Sequence, residues 1–125
     1  EIFSQVLAAS ANALATGTAE DITSITLTPG DWDVAGVVIF IPGASTSVTN
    51  LQIGVSLVSA TVDSETRLGG WRQAAAVPGG ASLVCQVMPS RISVAVNTLV
   101  YLVAGGTFTV STLSACGTLR ARRMR

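Results

Sequence analysis

Two carboxylates bracket a tryptophan in the segment Pro29-Gly30-Asp31-Trp32-Asp33. The i, i+2 spacing places Asp31 and Asp33 on one face of a strand, an arrangement that could serve acid–base catalysis or bind a hard cation. A calcium ion takes about six to eight oxygen ligands, and no further acidic cluster lies nearby in the sequence. We therefore expect Asp31 and Asp33 to cap a turn or form ion pairs, with a metal site as the alternative.

The end of the sequence is rich in arginine, at Arg120, Arg122, Arg123 and Arg125. Arginines can contact phosphates, but no aromatic residue is interleaved with them and the net charge of the chain is zero, so we predict no nucleic-acid partner. Every acidic residue precedes every basic one along the sequence. We expect these arginines to pair with acidic residues of a neighbouring subunit or of a host shell, with a solvated chain end as the alternative.

The sequence lacks the residues that other common catalytic and metal sites need. The chain has no histidine and two cysteines, which leaves Ser-His-Asp, Cys-His and zinc sites incomplete. Neither Gly-Gly pair lies between a strand and a helix, so no phosphate-binding loop is predicted. We expect no enzyme activity and no cofactor. Cys85 and Cys116 are predicted to be buried free thiols, with a bridge between them as the alternative.

A second tryptophan lies in Leu68-Gly69-Gly70-Trp71-Arg72. The surrounding stretch, residues 61–81, has the least regular pattern of the chain and is predicted to be a long loop, a kind of segment that often carries function. Trp71 and Arg72 are therefore candidates for contact with a partner protein or glycan, with packing under their own loop as the alternative. Trp32, in contrast, is expected to anchor the core.

The composition bounds the class of protein. At 125 residues the chain is one domain in length, with 49% hydrophobic residues, 11% charged residues and a mean hydropathy of +0.59. The surface must therefore consist of small and polar residues or be covered by another chain. Residues 34–41, the longest apolar run, are far short of the roughly 20 that a membrane helix needs, and no basic segment precedes the Ala-rich start, so we predict neither a membrane partner nor a signal peptide.

Alternation of apolar and polar residues places about eight short strands along the chain and no convincing helix. This pattern predicts an all-β fold, an antiparallel β-sandwich or jelly roll. Residues 1–19 are predicted to be an N-terminal arm or first strand that reaches a neighbouring subunit, with a short helix as the alternative, and residues 20–125 a single sandwich domain. Residues 83–124 are predicted to form five strands, at 83–88, 92–96, 99–103, 107–115 and 118–124. The predicted turns between them are Pro89-Ser90, Asn97-Thr98 and Gly105-Gly106, and Gly117 precedes the last strand.

The strand that follows Trp32 is apolar on both faces. We predict an extra residue near Ala35-Gly36, a β-bulge, which puts Val38 and Phe40 on the face opposite to Trp32. A monomeric sandwich has one inner face, so a second apolar face needs cover from another subunit. The predicted subunit or capsid contacts are Asp31, Asp33, Val38, Phe40, Arg120, Arg122, Arg123 and Arg125.

Two segments, residues 24–36 and residues 98–110 leading into 117–125, resemble a module of tailed-bacteriophage virion proteins, often C-terminal in fibre-like or head-decorating proteins. The resemblance implies a jelly-roll-like homotrimer without catalytic residues, which is assembled in the cytoplasm of a bacterial host and located in the virion. The implied function is head decoration, cement or a short head fibre, with the major capsid protein as partner. The alternative is the receptor-binding tip of a tail fibre, which recognises a host glycan or protein. The Ala-rich start and the two cysteines depart from the module.

Overall fold

The structure, a computed structural model, describes residues 2–6, 12–61, 71–73, 82–109 and 112–124. Within these ranges the chain forms nine strands and no helix, and therefore no helix that could cross a membrane. The strands are β1 (Ile2–Val6), β2 (Asn12–Ala13), β3 (Thr18–Leu27), β4 (Gly30–Pro42), β5 (Ser47–Ser56), β6 (Trp71–Gln73), β7 (Leu83–Val94), β8 (Thr98–Thr109) and β9 (Leu113–Arg123).

The strands form two antiparallel sheets. Sheet 1 has the order β1-β9-β4-β7, with β2 also paired to β9, and sheet 2 has the order β3-β8-β5-β6. Because β1 and β2 pair with the same strand, they act as two parts of one first strand. The pairing then joins first to last, second to second-last and so on inward, through β3·β8, β4·β7 and β5·β6. This nested pairing is that of a jelly roll, and the predicted all-β sandwich is confirmed.

Strand β4 crosses the centre of sheet 1 and alternates strictly between its two faces. Trp32, Val34, Val38 and Phe40 all lie on the inner face and are 0 to 5% exposed. The predicted extra residue in β4 is therefore wrong. The irregularity does occur between Val34 and Gly36, but the extra residue belongs to the partner strand β7, where the register advances by three residues against two in β4. Because β4 itself stays regular, Val38 and Phe40 lie in the core of their own chain, and the subunit contact predicted for them is wrong.

Three of the predicted strand boundaries lie inside strands of the structure. Pro89-Ser90 lies within β7, Gly105-Gly106 within β8, and Gly117 within β9. At Gly105 a Cβ atom would lie 2.8 Å from the Thr18 carbonyl oxygen, and at Gly117 it would overlap the Val37 carbonyl oxygen. These glycines thus allow neighbouring backbones to approach closely, so β8 and β9 continue through them, whereas β7 continues through a bulge at Pro89. The predicted strand 107–115 is wrong, because its residues are divided between β8 and β9.

The inner faces of both sheets form one core. In β5, Leu51, Ile53 and Val55 are at most 1% exposed and belong to the core. The largest fully buried side chains come from both sheets: Leu27, Val34, Val38, Phe40, Val48, Leu51, Ile53, Val55, Val87, Leu102, Leu113 and Leu119.

The N-terminal strand β1 pairs with its own chain along β9, from Ile2 opposite Ala121 to Val6 opposite Gly117. Ile2 packs against the core. Contact of residues 1–19 with a neighbouring subunit stays a prediction. Most of the predicted long loop, residues 61–81, lies outside the described residues.

Candidate assembly surface

Each sheet turns one face outward, and the outer face of sheet 2 is partly covered by the chain itself. After β5, the turn at Ser59-Ala60 bonds to Asp21 of β3, whose carboxylate accepts hydrogen bonds from the Ser59 hydroxyl and, at 2.8 Å, from the Ala60 N–H. Since β8 lies between β5 and β3, this turn must cross β8. Val103, which lies opposite Asp21, is accordingly fully buried although it faces outward.

The outer face of sheet 1 is the more accessible apolar surface among the described residues. Strand β4 contributes Val37, Ile39 and Ile41, which are half-buried. The edge strand β7 adds Val84, 61% exposed, and Met88, 73% exposed. We use the name outer face for this side of sheet 1. An accessible apolar stripe of this kind is typical of a surface that another chain covers.

A groove of about 340 Å³ runs across the outer face at the β7 bulge. Met88 and Pro89 together occupy the place opposite the single residue Ala35, and the extra residue bends the edge strand away from β4. Pro89 fits there because an edge strand at a bulge has no obligatory N–H partner. Side chains lining the groove include Ala35, Val37, Gln86, Pro89, Thr118 and Arg120.

One end of the outer face is charged. Arg91 of β7 donates a hydrogen bond of 2.6 Å to the carboxylate of Asp31 on β4, an ion pair between strands. Asp33 lies directly opposite Arg91 on one side and Arg122 of β9 on the other. The side chains of Asp33 and Arg122 are exposed and form no hydrogen bond or ion pair with another described residue. Residues that are far apart in the sequence thus form one row of alternating charge.

Arg123 has a different position from its neighbours in β9. Its guanidinium lies 5.6 Å from the centre of the Trp32 ring, a cation–π contact, and donates hydrogen bonds of 2.7 Å to the Pro29 carbonyl and 3.3 Å to the Thr28 hydroxyl. Trp32 is 5% exposed, and its indole N–H donates to the Thr28 carbonyl at 2.8 Å. The predicted core role of Trp32 is confirmed, and Arg123 joins the end of β9 to the β3–β4 turn.

The remaining predicted contact residues are placed only in part. Arg120 is exposed beside the groove, whereas Arg125 lies outside the described residues. Trp71 lies opposite Ile53, and Arg72 opposite Gln52, in the β5–β6 register, but their side chains are outside the described part of the structure. A partner-binding role for Trp71 and Arg72 stays a prediction.

Both cysteines are buried free thiols, as predicted. Cys85 lies on the inner side of sheet 1 opposite Val38, and Cys116 on the other side opposite Ile39, so the two side chains point away from each other. Burial raises the pKa of both thiols. No group of three potential metal ligands occurs among the described residues.

The sequence reasoning missed the apolar part of this surface: Val37, Ile39, Ile41, Val84 and Met88. Counting every second residue from Trp32 without a bulge would have placed Val37, Ile39 and Ile41 on the outer face. Arg91 was missed as well, because an ion pair between β4 and β7 joins residues 60 positions apart in the sequence and no local pattern reveals it.

No protein-family profile matches the sequence, and no curated protein sequence matches it. Among solved structures, the fold resembles a chain of infectious bursal disease virus Gt strain, with a TM-score of 0.52 and 13% identity over 97% of this chain and 29% of that one. A chain of the Gx strain gives a TM-score of 0.47 and 14% identity over 96% and 32% of the two chains. A chain of the T13 particle of the same virus gives 0.45 and 16% over 89% and 27%. This chain thus spans about three tenths of the length of those chains.

Proposed function

We propose that this chain is a structural jelly-roll domain of a virus particle, which joins neighbouring subunits through the outer face of sheet 1. The observation that carries the proposal is the outer face itself. It presents apolar side chains to solvent, whereas the inner face of the same sheet supplies a complete core. The fold likeness to a chain of the Gt strain of infectious bursal disease virus supports the choice of a virus particle.

The narrower form of the proposal is a head decoration, cement or short head-fibre subunit of a tailed bacteriophage, assembled as a homotrimer with the major capsid protein as its neighbour. It is supported by the resemblance of residues 24–36, 98–110 and 117–125 to the phage module. A non-enzymatic role is part of the same proposal.

The experiment compares particles formed with the unaltered chain and with variants of the outer face. Val84→Asn and Met88→Gln replace apolar side chains that are 61% and 73% exposed, so neither should harm the core. We expect the unaltered chain to co-sediment with particles and to be located on them by electron cryomicroscopy, and the double variant to be depleted. Leu99→Asn is the matched control, because Leu99 is an exposed apolar residue of sheet 2. Absence of the unaltered chain from purified particles would refute the proposal.

The receptor-binding alternative depends on Trp71 and Arg72, and no described contact favours it. Glycan-array binding that is lost in Trp71→Ala, together with absence from the particle head, would favour a fibre tip instead.

A further inference from the structure

We infer that the outer face of sheet 1 binds the outer face of a second copy of this chain, with β4 of each copy lying over β9 of the other. This inference rests on the proposed function, because it names the partner of the same face. It is carried by the charge row at one end of the face and by the apolar stripe beside it.

The charge row is self-complementary. Asp33 and Arg122 lie opposite each other in β4 and β9, are exposed, and have no ion-pair partner among the described residues. A twofold axis that runs between β4 and β9, parallel to the strands, exchanges these two positions. Asp33 of one copy then faces Arg122 of the other, and the reverse contact forms at the same time. Two ion pairs result from one contact, as an isologous interface requires.

The same axis also determines which residues meet along the rest of the face. Ala35 of β4 pairs with Arg120, and Val37 pairs with Thr118, so the axis places Ala35 over Arg120 and Val37 over Thr118 of the second copy. Ile39 lies over the position of Cys116, whose side chain is 1% exposed and stays buried in its own chain. Small and apolar side chains therefore meet beside the charge row, and the charged Arg120 lies among them, two positions along β9 from Arg122 and thus near Asp33 of the second copy. Burial of these apolar side chains supplies the attraction, and the charges fix the register.

Other occupants fit the row less well. Stacking β4 directly over β4 would place Asp33 against Asp33 of the second copy, which like charges oppose. A partner of a single sign of charge would meet both a carboxylate and a guanidinium within one row. Arg91, the third member of the row, already pairs with Asp31 at 2.6 Å. The alternating signs therefore favour a second copy of the chain itself.

The contact joins copies in pairs. A threefold contact through another surface is compatible with it, and a complex with both contacts would contain an even number of copies. This parity separates the inference from a simple trimer.

The test uses purified chains and charge reversal. Asp33→Arg makes both positions basic, and Arg122→Asp makes both acidic, so each variant alone should associate about tenfold more weakly or worse than the unaltered chain. An equimolar mixture of the two variants should recover association as hetero-pairs, which native mass spectrometry separates by mass. Sedimentation velocity over a range of concentrations gives the dissociation constants, and circular-dichroism melts confirm that each variant is folded.

The matched controls change charge on the other sheet. Ser24→Arg and Thr26→Asp alter exposed positions of β3 in sheet 2 and should leave association unchanged, alone or mixed. If a reversal variant fails to fold, the neutral variants Asp33→Asn and Arg122→Gln replace it. Each alone should weaken association, and mixing them should restore it in part, because a hetero-pair keeps one of the two Asp33–Arg122 ion pairs.

A monomeric unaltered chain at about 100 μM, a trimer insensitive to the reversals, or a mixture that forms no hetero-pairs would overturn the inference. The outcome is independent of the particle experiment. Particles that contain the chain while its purified copies ignore the charge variants would retain the proposed function and reject this contact. If the charge variants form hetero-pairs but the chain is absent from particles, the contact is retained and the proposed function is rejected.

Discussion

Replacing Gly117 by alanine should strongly destabilise the sandwich. Gly117 lies in β9 opposite Val38 of β4, at the centre of sheet 1. A Cβ atom there would overlap the Val37 carbonyl oxygen and would lie 3.1 Å from the carbonyl carbon and 3.2 Å from the Val38 Cα. All three are backbone atoms, so no side chain can rotate away and the two strands themselves must separate.

The expected loss in the free energy of unfolding is the cost of overpacking minus the gain from a less flexible unfolded chain. Overpacking a well-packed site costs about 1–3 kcal/mol, and more where the backbone must move. The smaller entropy of an unfolded chain with alanine offsets about 0.4–1 kcal/mol. Taking the upper end of the overpacking range, we expect a net loss of about 2 kcal/mol or more, and with roughly 3–6 °C per kcal/mol for a domain of this size the Tm should fall by about 6–12 °C or more.

Guanidinium denaturation monitored by circular dichroism measures the loss, and Gly17→Ala is the control. At Gly17 nothing lies within 4 Å of a Cβ atom, but φ is +77°, so alanine should cost about 1 kcal/mol through backbone strain alone. A Gly117→Ala chain as stable as the unaltered chain, or one that loses no more than Gly17→Ala, would refute the close approach of β9 to β4.

Three further changes probe the same fold. Val38→Ala should lower the free energy of unfolding by about 2 kcal/mol, since Val38 is fully buried, whereas Val37→Ala should lower it by less than about 1 kcal/mol. Equal losses for the two variants in denaturation curves would contradict the alternation of β4. Arg123→Ala should lower stability by about 1–2 kcal/mol in thermal melts through loss of its ring contact and the 2.7 Å hydrogen bond, and recovery by lysine would argue against a role for the guanidinium fork. Cys85 and Cys116 have a raised pKa, so unfolding releases thiol protons more readily and stability should fall as the pH rises above about 8.5; a chain with alanine at both positions should lose this alkaline slope in denaturation curves.

Alternation of apolar and polar residues, together with turn residues between the alternating segments, identified an all-β chain, because period-two patterns and turn residues act locally. The same local rules misled at Gly105-Gly106 and Gly117. A glycine that ends a strand and a glycine that lets two strands approach closely look alike until the neighbouring strand is known.

The sequence predicted that a surface for contact with another chain exists, but it did not predict which residues form that surface. The sequence showed an excess of apolar positions and a separation of acidic from basic residues, both of which indicate contact between chains. It did not show which apolar residues face outward. One residue inserted in β4 would reverse the facing of every later side chain, and the structure puts that residue in β7 instead.

By itself, the sequence determined the fold class and the presence of two apolar strand faces, since residue types and short-range periods suffice for these. Only the tertiary structure decided that Val37 and Ile39 are the outward side chains, and that Asp33 lies in one row between Arg91 and Arg122. The physical reason is that strand register and bulge placement depend on pairing between distant strands. The free energy of that pairing comes from the whole core, and no local segment encodes it.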